Sequence, residues 1–212
     1  MRSNHIPIVT LFTLFLFFFL IGSTPIVAGE DAQQARELTT EQLFQGGYHM
    51  IMTQRMMLME QFETSLEKIQ PFLDDEKLSE MKSQGDLQPH ILAATSIASV
   101  AHSLAFLSGN AYPSMIKMLR DNGSNIAEAN QAVGRLVAHM DEFKKDRLYF
   151  AQYSNVMNAT KDRWQYLQLH WGNWKVDGEK LVFSNGDLDA GYQQLNRRLA
   201  EEIAVLEEIP VE

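Results

Sequence analysis

Five methionines and a histidine lie close together near the start of the first predicted helix. His49, Met52, Met56 and Met59 follow one another at spacings of three or four residues, which place them on one helix face. Thioether sulfur and imidazole nitrogen are the donors that soft ions such as Cu(I) and Ag(I) prefer. The same spacing is also typical of a helix core, because methionine fills irregular gaps between helices. The pattern therefore leaves open a soft-metal site and a packed helix face.

The segment Gly46–Met56, which reads GGYHMIMTQRM, carries a second pattern. It resembles the opening helix of the periplasmic sensory domain shared by the type IV pilus chemotaxis transducer and the nitrate/nitrite sensor kinases, whose motif is close to AGRQRMLSQRM. Gly47, Gln54, Arg55 and Met56 match that motif directly, and the three residues before Gln54 are conservative replacements. The resemblance implies a four-helix sensory bundle that binds a ligand or a partner without catalysis.

The segment departs from the family at two basic positions, which fall on Tyr48 and Met50. In nitrate sensors the second position carries the anion-binding arginine, so the departure argues against nitrate or nitrite as the ligand. Arg55 remains as the cation of this segment that can pair with an anionic group. We therefore predict Gln54 and Arg55 as ligand-binding residues. The alternative is a helix whose glycines and methionines suit close packing, with Arg55 in solvent.

Sequence motifs that indicate catalysis are missing from this chain. It contains no Gly-rich phosphate loop, no Gly-x-Ser-x-Gly turn, and no His-Glu-x-x-His or Glu-x-x-His metal pair. Cysteine is absent as well, which excludes disulfides, thiolate nucleophiles and cysteine metal ligands. We predict that the protein is not an enzyme, and we assign it no catalytic residue, no metal ligand and no cofactor.

A further group of candidate residues is aromatic. The three tryptophans, Trp164, Trp171 and Trp174, lie near Tyr166 and Phe183 in the sequence. Such a group can form a stacking platform for a sugar or peptide, or a recognition surface for a protein partner. We expect it instead to form a small satellite core beneath a hairpin.

The first 29 residues have the order of a secretory signal. Arg2 gives a short basic start, residues 6–22 are strongly apolar, and small residues lead to Ala28 and Gly29. The apolar run is shorter than the roughly 20 residues of a spanning helix. We predict cleavage after Ala28 or Gly29 and a single periplasmic or secreted domain over residues 30–212. An uncleaved membrane anchor is the alternative, and no later stretch is expected to span a membrane.

The composition limits the partners of this domain. The net charge of −9 argues against nucleic acid and against anionic lipid surfaces, because both repel an acidic protein. About 180 residues remain after the signal, which suits one domain. The partner is expected to be an unidentified small ligand, an envelope protein, or a second copy of the chain in a homodimer.

The spacing of apolar residues predicts an all-α, four-helix-type bundle. The first helix begins at a capping box formed by Thr39 and Gln42, and it stops at Pro71. The second runs from about residue 89 to 107, and we expect His102 on it to be buried and hydrogen-bonded. Four alanines form one stripe that allows a neighbouring helix to approach closely: Ala94, Ala98, Ala101 and Ala105.

The rest of the chain is predicted to hold two further long helical segments and a hairpin. A short helix surrounds residue 115, between Pro113 and the Asn-Gly turn that follows. A long helical segment then covers residues 126–171, with a kink or break expected near residues 154–160. Residues 174–183 read as a β-hairpin with an Asp-Gly turn, and a final helix ends before Pro210.

These observations favour an exported, non-enzymatic helical bundle that senses or binds a small ligand or protein partner. The first alternative is a periplasmic protein that binds Cu(I) or Ag(I) on its methionine face. A further alternative is a structural accessory of an envelope assembly, with the acidic final helix as its docking face.

Overall fold

The structure of the protein is a computed structural model that describes residues 39–69, 75–134, 137–178 and 180–210. The predicted signal at residues 1–29 lies outside the described residues, as does Pro71, the predicted end of the first helix. The described chain is mostly helical with one small hairpin before the last helix, which confirms the predicted fold class.

Five α-helices and a two-stranded antiparallel hairpin form the described chain, with two short 3-10 helices at Asp75–Glu80 and Gln84–Leu87. In chain order these elements are α1 (Thr40–Ile69), α2 (Gln88–Asp121), α3 (Ile126–Gly134), α4 (Val137–Leu169), β1 (Trp174–Asp177), β2 (Lys180–Phe183) and α5 (Gly186–Glu207).

The start of α1 is fixed by the predicted capping box. The Thr39 backbone N–H donates to Gln42 Oε1 at 3.0 Å, and the Gln42 backbone N–H donates to Thr39 Oγ1 at 3.2 Å. Two backbone donors that the helix itself leaves without partners are thereby satisfied. The sequence prediction for this end of the helix is confirmed.

Helix α2 is longer than the sequence predicted. The expected end near Leu107 and the separate short helix after Pro113 are both wrong, because α2 runs without interruption to Asp121. Its buried side continues on both sides of the proline through Ala111, Met115 and Leu119. Burial of these side chains outweighs the cost of a proline inside a helix, which is about 3 kcal/mol.

The most apolar part of α2 is half buried. The helical stretch 84–121, which is α2 with the 3-10 helix before it, is long and apolar enough to cross a membrane, contrary to the expectation that no such stretch follows the signal. Half of its most apolar window is buried among the other helices, as in the core helix of a bundle. The predicted alanine stripe is confirmed as a contact surface, since the four alanines are at most 8% exposed. Ser154 Oγ of α4 donates to the Ala98 carbonyl at 2.9 Å, which shows how closely the two helices approach.

Helix α4 runs without a break through residues 154–160, where a kink or break was expected. The polar side chains there bond to carbonyls of their own helix one turn earlier: Asn158 Nδ2 donates to Ser154 O, and Thr160 Oγ1 donates to Val156 O, each at 2.9 Å. These bonds give the polar groups partners within the helix.

The predicted long segment 126–171 corresponds to two described helices, α3 and α4, and residues 135–136 between them lie outside the described part of the chain. Helix α3 begins at Asn125, whose Oδ1 accepts the backbone N–H groups of Ala127 and Glu128, each at 3.0 Å.

The four long helices share one core. Phe62 of α1 and Phe150 of α4 meet edge to face with ring centroids 5.3 Å apart, and Ile97 and Leu104 of α2 are fully buried beside them. Leu199 of α5 packs against the same cluster. A second cluster joins the start of α1 to the end of α2 and to α3, and a third lies beneath the hairpin.

Candidate functional site

Arg55 forms an ion pair that joins α1 to α4. Its Nη2 lies 2.6 Å from Asp146 Oδ2, and its Nε donates to the same oxygen at 2.8 Å. The two side chains are only 26% and 21% exposed, so water screens the pair weakly. Arg55 is therefore held against α4 and does not extend into solvent.

A cavity of about 160 Å³ opens beside this ion pair. Three residues of α1 and three of α4 line it: Tyr48, Met52, Arg55, Glu142, Phe143 and Asp146. At about 30 Å³ for each water, the volume suits roughly five waters. It falls below the 300–1,000 Å³ of typical drug-sized sites, so its occupant must be a few heavy atoms or one partner side chain.

The ionisable groups around this cavity do not favour an anion. The charges of Arg55 and Asp146 cancel one another in their ion pair, and Glu142 is a second carboxylate of the lining. An anion would meet two carboxylates and a guanidinium already engaged with one of them. The charge balance therefore favours a neutral or cationic group.

Of the two predicted ligand-binding residues, the structure places only Arg55 at the cavity. Gln54 is exposed and does not line it, because neighbouring residues point about 100° apart around a helix. The sequence prediction missed Glu142, Phe143 and Asp146. They lie some ninety positions further along the chain, and no local sequence signal marks them.

The methionine face of α1 is neither wholly core nor wholly exposed. Met59 packs against the four-helix core, and Met52 lines the cavity. His49 is exposed, and Met56 is 62% exposed. Among the residues that the structure describes, no group of three His, Cys, Asp or Glu side chains could hold a metal ion. A metal on this face would therefore depend on thioether ligands.

The aromatic group forms the expected satellite core beneath the hairpin. Trp164 is 2% exposed and stacks on His90 with ring centroids 4.0 Å apart. Trp174 Nε1 donates to the Leu167 carbonyl at 2.8 Å, and its ring meets Trp171 edge to face. A cavity of about 360 Å³ lies beside these two rings, between the hairpin and the first 3-10 helix.

His102 is not a buried core residue. The expectation of a buried, hydrogen-bonded side chain is wrong, because His102 points to the exposed side of α2 while its neighbour Ala101 is fully buried. His102 lies about 70° around the helix from the middle of the alanine stripe, which is far enough to bring its side chain to the exposed side.

Comparisons of this chain with protein-family models, with characterised proteins and with solved structures give no significant match. Its function is therefore argued from the geometry of its own residues.

Proposed function

We propose that this protein is an exported, non-enzymatic helical bundle that senses or binds a small ligand or a partner side chain between α1 and α4. The observation that carries the proposal is the half-buried Arg55–Asp146 ion pair in the wall of a cavity between these helices. Export is supported by the order of residues 1–29.

The cavity selects its ligand by size and charge. A group of a few heavy atoms fits the volume of about 160 Å³, and a lining with two carboxylates and an already engaged guanidinium favours a cationic or neutral group over an anion. The Tyr48 ring adds a face that attracts cations. A small primary ammonium group is the simplest ligand that combines these properties.

The ion pair gives the ligand a means to act on the bundle. A cation at the cavity would compete with Arg55 for the Asp146 carboxylate, which is the contact that ties α1 to α4 here. A ligand that prefers one arrangement of the two helices shifts the population toward it. Binding would then be converted into a change in how α1 sits against α4.

Methylammonium chloride and sodium nitrate test the proposal as probes in thermal unfolding of the purified protein. Methylammonium should raise the unfolding temperature, because a ligand that binds only the folded state stabilises it. Nitrate at equal ionic strength should not. Asp146→Asn should remove the methylammonium effect, and Asp162→Asn should retain it. Asp162 is a matched control, since it also lies on α4 and pairs with an arginine, Arg198 of α5, away from the cavity.

Two outcomes would contradict this assignment of the site. One is stabilisation by nitrate greater than that by methylammonium. The other is a methylammonium effect of equal size in Asp146→Asn and Asp162→Asn, which would indicate a general salt effect.

Soft-metal binding is a second candidate function, favoured by the exposure of Met56 and His49 on one face of α1. The sulfur atom of an exposed methionine such as Met56 is accessible to an ion. Adjacent pairs at spacings of three or four residues, such as Met52 with Met56, can bind one Ag(I) or Cu(I) together.

Titration with Ag(I) separates the two functions. Replacing Met52, Met56 and Met59 by leucine should abolish stoichiometric Ag(I) binding if this face is a metal site, with little loss of stability because the volumes are similar. Met50→Leu with Met57→Leu is the control, since both methionines are exposed on a different side of α1. Equal Ag(I) binding by all three proteins would remove the metal function.

A further inference from the structure

The outward face of α2 is uncharged over an unusual length. Residues 88–116 contain no Asp, Glu, Lys or Arg, although 21% of the chain is charged. Two large apolar side chains project from this face, Leu92 at 59% and Phe106 at 65% exposure. We call it the α2 face, and its exposed or half-exposed members are Leu92, Thr95, Ser96, Ser99, His102, Ser103, Phe106 and Asn110.

Three of the six polar side chains on the α2 face donate a hydrogen bond within the helix itself. The side chains of Thr95, Ser103 and Asn110 donate to the carbonyl four residues earlier, at 2.7, 2.9 and 2.8 Å. Covering these groups therefore does not leave their donors without partners, which is the usual cost of burying hydroxyl and amide side chains. The face combines two apolar side chains with three polar groups that are inexpensive to bury.

We propose that the α2 face is the interface of a homodimer, in which α2 packs antiparallel against α2 of a second copy across a two-fold axis at Ser99. The residue pattern is symmetric about this position. Leu92 and Phe106 each lie seven residues from Ser99, close to two full helical turns, so all three share one line along the helix. An antiparallel pair brings Leu92 of one copy to Phe106 of the other, and the small Ser99 side chains permit close approach at the axis.

The charge of the protein favours a second copy as the occupant. Two copies that each carry a net charge of −9 repel one another, and the repulsion is smallest where uncharged faces meet. A basic partner would gain nothing from this face and would bind the acidic surfaces instead. The α2 face of another copy matches it both in its lack of charge and in its pattern.

Cysteine cross-linking tests the axis directly, because the chain contains no cysteine of its own. Ser99→Cys should form an intermolecular disulfide rapidly under mild oxidation. Ser114→Cys, also exposed on α2, should not. It lies fifteen residues from the axis, so at 1.5 Å rise per residue the two copies of it are about 45 Å apart.

Sedimentation equilibrium tests the apolar contacts. Phe106→Glu should raise the dimer dissociation constant at least about 30-fold, as expected for a residue that dominates an interface. Leu92→Glu should act in the same way, so that a folding defect in one variant does not decide the result. Leu148→Glu is the control, since Leu148 is 55% exposed on α4 and lies outside the α2 face. It should leave the constant unchanged.

Three results would overturn the homodimer. The wild-type protein could sediment as a monomer at all concentrations, Ser114→Cys could cross-link as fast as Ser99→Cys, or Leu148→Glu could weaken association as much as the two α2 variants. Co-sedimentation of a monomer with phosphatidylcholine vesicles, lost in Phe106→Glu, would assign the face to a membrane instead.

Discussion

Arg55 could be predicted as a site residue from the sequence, but the residues that surround it in the structure could not. The resemblance over Gly46–Met56 selected it, and the structure places it at the α1–α4 cavity. Its partner Asp146 has no local signal that distinguishes it from other carboxylates of α4, since the pairing depends on how two distant helices pack. Gln54 was selected by the same motif, and helix geometry turns it away from the cavity.

Removal of Arg55 should destabilise the protein more than removal of a comparable surface arginine. Arg55→Ala leaves a half-buried carboxylate without its partner, and we expect a loss of about 1–3 kcal/mol, between the values for exposed and buried pairs. Arg198→Ala breaks a more exposed pair with Asp162 and should cost under about 1 kcal/mol. Urea denaturation of both variants measures the difference, and equal losses would contradict the partial burial of the Arg55 pair.

Tyr153 makes stability depend on pH in the alkaline range. Burial, together with the nearby Tyr149, raises the pKa of Tyr153 from 10 to about 12. Between these values the unfolded state releases the phenol proton while the folded state keeps it, so the free energy of unfolding falls as pH rises through this window. Below pH 10 the effect is absent.

Denaturation at a series of alkaline pH values measures this dependence. In Tyr153→Phe the free energy of unfolding should fall less steeply between pH 10 and 12, because the variant has no phenol proton to release there. An unchanged slope in Tyr153→Phe would show that other groups cause the decline.

At the scale of elements, the sequence predicted helix starts better than helix ends. The capping box of Thr39 and Gln42 acts within a few positions of the chain, so local sequence specifies it. Pro113 indicated a helix end and the polar residues near position 158 indicated a kink or break, yet the helix continues past each of these positions. The free energy gained by burying a helix is a sum over many side chains along its length. A proline or a few polar residues at one position therefore cannot indicate it.

Two adjacent glycines of α1 should respond in opposite ways to substitution by alanine. A Cβ on Gly47 would lie 2.5 Å from Met118 Cε and 2.8 Å from the buried Met115 Sδ, whereas a Cβ on Gly46 meets nothing within 4 Å. Gly47→Ala should cost about 1–2 kcal/mol through overpacking, reduced by the flexibility of the methionines. Gly46→Ala should stabilise by about 0.5–1 kcal/mol, because alanine favours a helix.

Thermal unfolding of the two variants against wild type gives the sign of each effect. Stabilisation by both substitutions would mean that α1 and α2 are not in close contact at Gly47.

At the scale of the whole molecule, the bundle class was predictable because helical periodicity extends over most of the chain. The site was not, since it forms between α1 and α4 and only one side of it lies in the motif. The proposal of export rests on residues 1–29, which lie outside the described part. We predict that the mature chain begins near Gly29 or Glu30, which N-terminal sequencing of the exported protein would show. A chain that retains Arg2 in membranes alone would support the anchored alternative.

Native mass spectrometry of the protein purified from its own exported fraction tests the central claim, that the α1–α4 cavity binds a ligand. The wild-type protein should carry an added mass of a few heavy atoms or a bound partner. That addition should be absent after the charge exchange Arg55→Asp with Asp146→Arg, which keeps an ion pair but rebuilds the cavity wall, and present in Arg198→Ala. A bare wild-type polypeptide, or the same addition in the exchanged protein, would contradict the account.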